Sequence, residues 1–134
     1  MDVTDIYKLP AVECGKDIKR SIRLVESPQT TGENRLMIVH TTVPPRGVSE
    51  GHTHPHSDEY ILFSIAGQAV LDGKEMDVPK MGMVHAKPGV VHECRNLSDT
   101  ETLELFCVFV DPFEPYGIYP ELIKKTQQYL EGQQ

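Results

Sequence analysis

Frequent glycine and proline residues restrict the fold of this chain more than any other feature of its sequence. Ten Gly and ten Pro are scattered over 134 residues, with mostly short gaps between them. Such breaks would interrupt long helices, whereas short strands joined by turns fit between them. The length is that of one domain. We therefore expect a single, mainly β domain that covers residues 1–134.

Most segments between these breaks have the composition of β-strands. The segment 59–66 is largely apolar, as expected of a strand buried on both faces. Asp72-Gly73 is a turn signal for a two-residue hairpin. About eight or nine short strands are predicted, and the clearest cover residues 21–26, 35–43, 59–66, 68–71, 74–78, 83–86, 90–96 and 102–110.

The last segment, about 120–131, has the pattern of a helix. Pro120 suits the first helical turn. One face of this helix would carry Leu122, Ile123, Thr126 and Leu130. The fold class that follows is all-β: an antiparallel sandwich or barrel with a short C-terminal helix.

The charge of the chain argues against two classes of partner. Acidic residues number 20 and basic residues 13, which gives a net charge of −7. Nucleic acids and anionic membrane surfaces both attract basic proteins, so neither is an expected partner. The first thirty residues contain no continuous apolar run, so we expect no signal peptide, no membrane span and a cytoplasmic protein. Cys14, Cys94 and Cys107 are expected to be reduced thiols.

Three of the six histidines fall at positions 52, 54 and 56. Side chains alternate between faces along an extended strand, so His52 and His54 would project to the same side. Two neutral imidazoles on one face can share a metal ion. Glu59, at the start of the next apolar strand, can return a carboxylate to that side. His92, just after the Pro88-Gly89 turn, offers a fourth ligand.

These residues carry a resemblance to a known family. The pattern His52-x-His54-x4-Glu59, followed by an apolar strand that closes at Gly67, resembles the first motif of the cupin superfamily (about 47–67). The segment 82–96, with its Pro-Gly turn, His92 and Asn96, resembles the second motif. The resemblance implies a jelly-roll barrel of antiparallel strands. It also implies a homodimer, by analogy with small single-domain cupins.

The resemblance further implies one metal ion, whose ligands would be His52, His54, Glu59 and His92. Three imidazoles and one carboxylate suit a divalent ion of Fe, Mn, Ni, Co, Cu or Zn, and do not suit Ca or Mg. The sequence departs from the family pattern in two places. The interval from Glu59 to Gly67 is one residue longer than usual, which makes Asp58 a rival for the carboxylate role. Lys87 stands where a first proline is common.

Other side chains are candidates for the wall of a pocket beside the metal. Ile61 and Phe63 share the face of Glu59, and Cys94 shares the face of His92, with Asn96 two residues further on. A base that moves a proton is expected at His56, on the rim of the pocket, or at His85, in the strand beside the second motif. The aromatic segment 112–120 either closes the barrel mouth or packs on a partner.

Three functions remain open at this point. The chain is expected to be a metal-dependent enzyme of dioxygenase, isomerase, lyase or decarboxylase type, acting on a small hydroxy acid, keto acid or sugar derivative. A non-catalytic module that binds or senses a small ligand or a metal is the alternative. A partner-binding scaffold with an empty site is the third.

Overall fold

Two antiparallel β-sheets form the framework of the protein. The computed structural model describes residues 3–133, the side chains of residues 50 and 51 excepted. Residues 1–2 and 134, at the ends of the predicted domain, lie outside the described residues. Over the described chain the elements are a 3₁₀ turn at Ile6–Lys8, β1 (Ala11–Cys14), β2 (Arg20–Glu26), β3 (Met37–Val43), β4 (Val48–His52), β5 (Asp58–Phe63), β6 (Gly67–Leu71), β7 (Lys74–Val78), β8 (Met83–Ala86), β9 (His92–Arg95), β10 (Leu103–Val110) and the helix α1 (Tyr119–Glu131).

The strand order confirms an antiparallel all-β fold. One sheet has the order β1-β2-β3-β10-β5-β8, and the other has the order β4-β9-β6-β7. The described strands form these two separate sheets, which do not close into a barrel, so the predicted antiparallel jelly-roll takes the form of a β-sandwich. The two sheets bury their inner faces against each other, as layered β-proteins do.

Most predicted strands are present, with shifted ends. β5 ends at Phe63, three residues before the predicted end, because the chain turns away there to begin β6 in the other sheet. β1 was not among the predicted strands, since its four residues carry little alternation. The predicted hairpin turn is confirmed: Asp72 and Gly73 have φ of 48° and 80°, and Leu71 pairs with Lys74.

The core lies between the two sheets and is closed at one end by the helix. Phe63, Leu24 and Leu103 are fully buried there. α1 packs on β1 and β2 and buries Leu122, Ile123 and Thr126, three of the four residues on the predicted face. Within residues 3–133, none of the helices has the length and apolar character that a membrane span requires.

Candidate metal centre

Four side chains from both sheets meet at one point between them. His52 is the last residue of β4, His54 follows in the loop, Glu59 lies on β5 and His92 begins β9. One ligand atom from each of the four can be chosen so that all lie within 4.8 Å of one another. The structure therefore brings together the residues that the sequence proposed as metal ligands.

A β-bulge positions His52 in this cluster. The register between β4 and β9 pairs Ser49 with Cys94 and then His52 with His92, so β4 has one residue more than β9 over this interval. A bulge of this kind changes the direction of a side chain at a strand end. It sets the His52 and His92 rings 4.2 Å apart, centroid to centroid.

Glu59 is the carboxylate at the centre of the cluster. Its Oε1 lies 2.6 Å from Nε2 of His92, 3.5 Å from Nε2 of His54 and 3.8 Å from Nε2 of His52. Burial alone would raise the pKa of Glu59, but its interactions with His52 and His92 lower that pKa to about 2. The carboxylate is therefore ionised at neutral pH and carries the negative charge that a divalent cation would need.

His92 has one nitrogen held and the other directed into the cluster. Its Nδ1 donates to the backbone carbonyl oxygen of Val90 at 2.9 Å, which orients the ring and leaves Nε2 facing Glu59. A backbone carbonyl in this role commonly fixes the tautomer of a metal-binding histidine.

His54 provides the clearest test of whether these residues fit a metal. Its side chain is buried, and Nε2 makes no hydrogen bond to any described residue. Burial lowers the pKa of His54 to about 4, so its imidazole is neutral at pH 7. The rings of Phe109 and Phe113, each 4.8 Å away, hold it in place. A neutral, oriented imidazole with an unused nitrogen beside a carboxylate fits a metal ligand.

His85 and His56, which were predicted to move protons, lie elsewhere. His85 is exposed, stacks on Tyr60 at 4.3 Å and hydrogen-bonds to Asp58 at 2.7 Å. It pairs in register with Tyr60 and so faces the outside of the sheet, opposite to Glu59. His56 lies in the turn after Pro55 and is also exposed.

A cavity of about 260 Å³ adjoins the cluster. Ile61 and Cys94 lie in its wall, but Phe63 and Asn96, also proposed for the wall, do not. Phe63 is instead packed in the core against Gly67, and the Asn96 amide donates to the carbonyl oxygens of Val43, Pro44 and Glu101. Burial raises the pKa of the Cys94 thiol to about 12, so it stays protonated.

The sequence did not predict the remaining wall of this cavity. Arg20 and Ile22 come from β2, and Thr41 comes from β3. Tyr116 and Tyr119 come from the aromatic segment that was left with two alternatives, and they place that segment over the cavity. The density of aromatic residues in this segment could have indicated a cavity wall from sequence. A single arginine at the start of a strand carries no such indication.

Comparison with protein families gives one match. A family model described as a cupin domain matches residues 39–109, just over half of the chain. The matched part contains all four clustered side chains. No curated protein sequence is significantly similar to this chain.

Solved structures share the fold at low sequence identity. A structure described as a predicted oxalate decarboxylase from Thermotoga maritima superposes with a TM-score of 0.71 and 15% identity, over 82% of this chain and 99% of that one. An RmlC-like cupin from Shewanella frigidimarina gives 0.64 and 15%, over 84% and 92%. The cupin domain of Schizosaccharomyces pombe Cnp3 gives 0.66 and 8%, over 83% and 74%. These similarities concern the fold.

Proposed function

Because this chain belongs to the cupin domain family, we propose that it is a metal-dependent enzyme that acts on a small oxygenated molecule. One divalent transition-metal ion would be held by His52, His54, Glu59 and His92. The observation that carries the proposal is the buried Nε2 of His54, which faces Glu59 without a hydrogen bond of its own. Burial of such an atom is unfavourable unless a further group binds it.

The donor set narrows the choice of metal. Three imidazole nitrogens and one carboxylate oxygen suit Fe, Mn, Ni, Co, Cu or Zn, whereas Ca and Mg prefer shells of oxygen. When bound in such a site, an ion of this class supplies Lewis-acid chemistry at a substrate oxygen, or redox chemistry if it is iron or copper. Hydroxy acids, keto acids and sugar derivatives are substrates of the right size and oxygen content.

The chain's own residues would bind and orient that substrate. Ile22, Ile61 and Leu105 give the cavity an apolar wall that excludes water. Tyr116 is the candidate for a hydrogen-bond donor at the covering segment. Burial, and to a smaller extent the charge of Glu59, raise the pKa of its phenol, which therefore keeps its proton at neutral pH. Tyr116 lines the cavity, whereas His56 and His85 do not, and this favours Tyr116 as the side chain that would hold a proton near the substrate.

Metal analysis of the native protein tests the first part of the proposal. Inductively coupled plasma mass spectrometry should find about one transition-metal ion per chain, and His54→Ala should lose most of it. His85→Ala is the matched control, because this histidine lies outside the cluster, and it should keep the metal. Unchanged metal in His54→Ala would mean that the site is misassigned.

Turnover measurements test the second part. Metal-loaded protein is offered a panel of small hydroxy acids, keto acids and sugars, and steady-state product formation is followed. Turnover of one class supports the enzyme. A protein that binds metal and ligand but converts none of the panel would instead be a binding or sensing module, and the catalytic proposal would fail.

Two further properties stay predictions. A cytoplasmic location follows only from the sequence. A homodimer is favoured by β8, an edge strand of the larger sheet whose Met83 is exposed to solvent, as is the nearby Met81. Light scattering at micromolar concentration should give twice the 15.1 kDa chain mass. A monomeric mass would contradict the homodimer.

A further inference from the structure

Arg20 lines the cavity beside the cluster, and one of its guanidinium nitrogens has no partner among the described residues. It begins β2, whose alternate residues Ile22 and Leu24 are buried on the inner face. Arg20 shares that face and lines the same cavity as Glu59 and His92. Its Nη1 atom is buried and makes no hydrogen bond to any described residue.

The other arginines of the chain behave differently. Each of these four donates a hydrogen bond from its side chain: Arg23 to the carbonyl oxygen of Leu9, Arg35 to Glu33, Arg46 to Asp99 and Arg95 to Glu93. A buried guanidinium nitrogen without an acceptor is unfavourable, and buried polar groups in proteins are rarely left in that state. Nη1 of Arg20 is therefore free, as far as the described residues go, to donate to an acceptor that enters the cavity.

The charges around the cavity indicate the sign of that acceptor. Among its described wall residues, Glu59 is the carboxylate, and its charge is already engaged by His92 at 2.6 Å. Among the described residues, no carboxylate forms an ion pair with Arg20. The apolar neighbours Ile22 and Ile118 lower the local dielectric constant and so strengthen any pairing that forms there.

We propose that Arg20 is the carboxylate-recognition residue of this cavity, so that the ligand is a small carboxylic acid rather than a neutral sugar. The planar guanidinium would hold the carboxylate through two parallel hydrogen bonds. A second oxygen of the same acid would then face the histidine cluster, and this part of the inference rests on the proposed function. A cavity of about 260 Å³ is below the usual range for drug-sized ligands, so the acid has few carbon atoms.

Tyr116 supports this arrangement because its phenol interacts electrostatically with both Arg20 and Glu59. Burial raises the pKa of its phenol, the charge of Glu59 raises it further, and the charge of Arg20 lowers it. Its ring is also 6.1 Å from the ring of His54, centroid to centroid. An acid that bridges Arg20 and the cluster would therefore lie in the same cavity as Tyr116.

Calorimetric titration with matched acids and amides tests the inference. The probes are lactate and pyruvate, compared with lactamide and pyruvamide, which keep the shape and lose the charge. We expect metal-loaded wild-type protein to bind each acid at least about tenfold more tightly than its amide. Arg20→Met and Arg20→Gln, two uncharged and unbranched replacements, should reduce the preference to about threefold or less without loss of metal.

Two controls separate this inference from the proposed function. Arg35→Met removes the same charge from an exposed pair with Glu33 and should leave the preference unchanged. Arg20→Lys keeps the charge without the planar fork and should give an intermediate preference. The titrations are repeated on metal-stripped protein, so that the acid preference is measured even if the chain binds no metal.

The role of Arg20 and the proposed metal-dependent function are overturned by different outcomes. Loss of the preference in both uncharged variants supports the role of Arg20. An equal preference in wild type and in either folded variant overturns it, as does failure of the wild-type cavity to bind any of the acids. Absence of metal from the native protein overturns the proposed function, while the comparison of acid with amide still decides the role of Arg20.

Discussion

The side chains of Asp58 and Glu59 lie on opposite faces of β5, although the two residues are adjacent in the chain. Glu59 is 3% exposed, and its Oε1 lies 2.6 Å from Nε2 of His92. Asp58 is half-exposed, and its Oδ1 accepts a hydrogen bond from His85 on the outer face of the sheet. Because neighbouring residues of a strand alternate between faces, one carboxylate alone can turn towards the histidines.

This relationship predicts different effects for two matched amide substitutions. Glu59→Gln removes the negative charge from the cluster and should weaken transition-metal affinity by at least about tenfold. Asp58→Asn should leave the affinity within about twofold, because its carboxylate faces away from the cluster. Competition with a fluorescent chelator measures both. A larger loss in Asp58→Asn than in Glu59→Gln would return Asp58 to the ligand role.

The part of the site that could be predicted from sequence depends on local spacing. Strand alternation correctly predicted Ile61 and Cys94 in the cavity wall. His52 and His54 meet as the sequence predicted, although His54 lies in the loop after β4 rather than on the strand. The turn signal at Asp72-Gly73 also depended only on neighbouring residues. Where a strand or a turn sets the direction of a side chain over a few residues, the sequence was sufficient to predict that direction.

The part that could not be predicted depends on long-range packing. Arg20 and Tyr116 meet the cluster only because β2 and the segment after β10 converge on one cavity. The periodicity of the sequence gives no indication that these two segments meet. Asn96 has a similar explanation: it lies next to the site in sequence, but its amide donates to three backbone carbonyls, one at the end of β3 and two in loops.

Asn96 is predicted to contribute to stability rather than to binding. Its Nδ2 lies 3.0, 3.1 and 2.8 Å from the carbonyl oxygens of Val43, Pro44 and Glu101, and the side chain is buried. Asn96→Ala leaves these carbonyls without their donor and should lower the free energy of unfolding by about 2–3 kcal/mol. Urea denaturation checks this value. Asn34→Ala, at an exposed position, is the control, and an equal loss in both variants would contradict the prediction.

Gly67 is predicted to tolerate no larger residue. A Cβ atom there would lie 2.6 Å from the carbonyl oxygen of Arg95 and 3.0 Å from Cε2 of Phe63. Gly67→Ala must therefore displace backbone or core atoms, and it should lower the free energy of unfolding by about 1–3 kcal/mol. At Gly132 the backbone is helical and the nearest atom would be 3.4 Å away, so Gly132→Ala should be near neutral. Thermal unfolding that ranks the two variants in the opposite order would refute this account.

Glu104 is predicted to make stability depend on pH at the acid end. The Tyr7 hydroxyl donates to its Oε1, and Nε2 of the buried His40 lies 2.8 Å from the same atom. The bond from Tyr7 is the main cause that lowers the pKa of Glu104; partial burial opposes it and His40 adds to it. Since the folded-state pKa lies below the unfolded value, the carboxylate stabilises the fold at neutral pH. That stabilisation declines once the pH falls below about 4.3 and is lost through the folded-state pKa.

The variant Glu104→Gln keeps an acceptor for Tyr7 and removes the titrating group. Its free energy of unfolding should be lower than that of the wild type at pH 7 and should fall less steeply as the pH is lowered from about 5. Urea titrations at several pH values measure both slopes. Glu13→Gln, at an exposed position of β1, controls for the general loss of one acidic residue and should retain the wild-type slope. An equal slope of the free energy of unfolding against pH in Glu104→Gln and in the wild type would contradict the prediction. It would mean that the proton taken up on unfolding binds to a group other than Glu104.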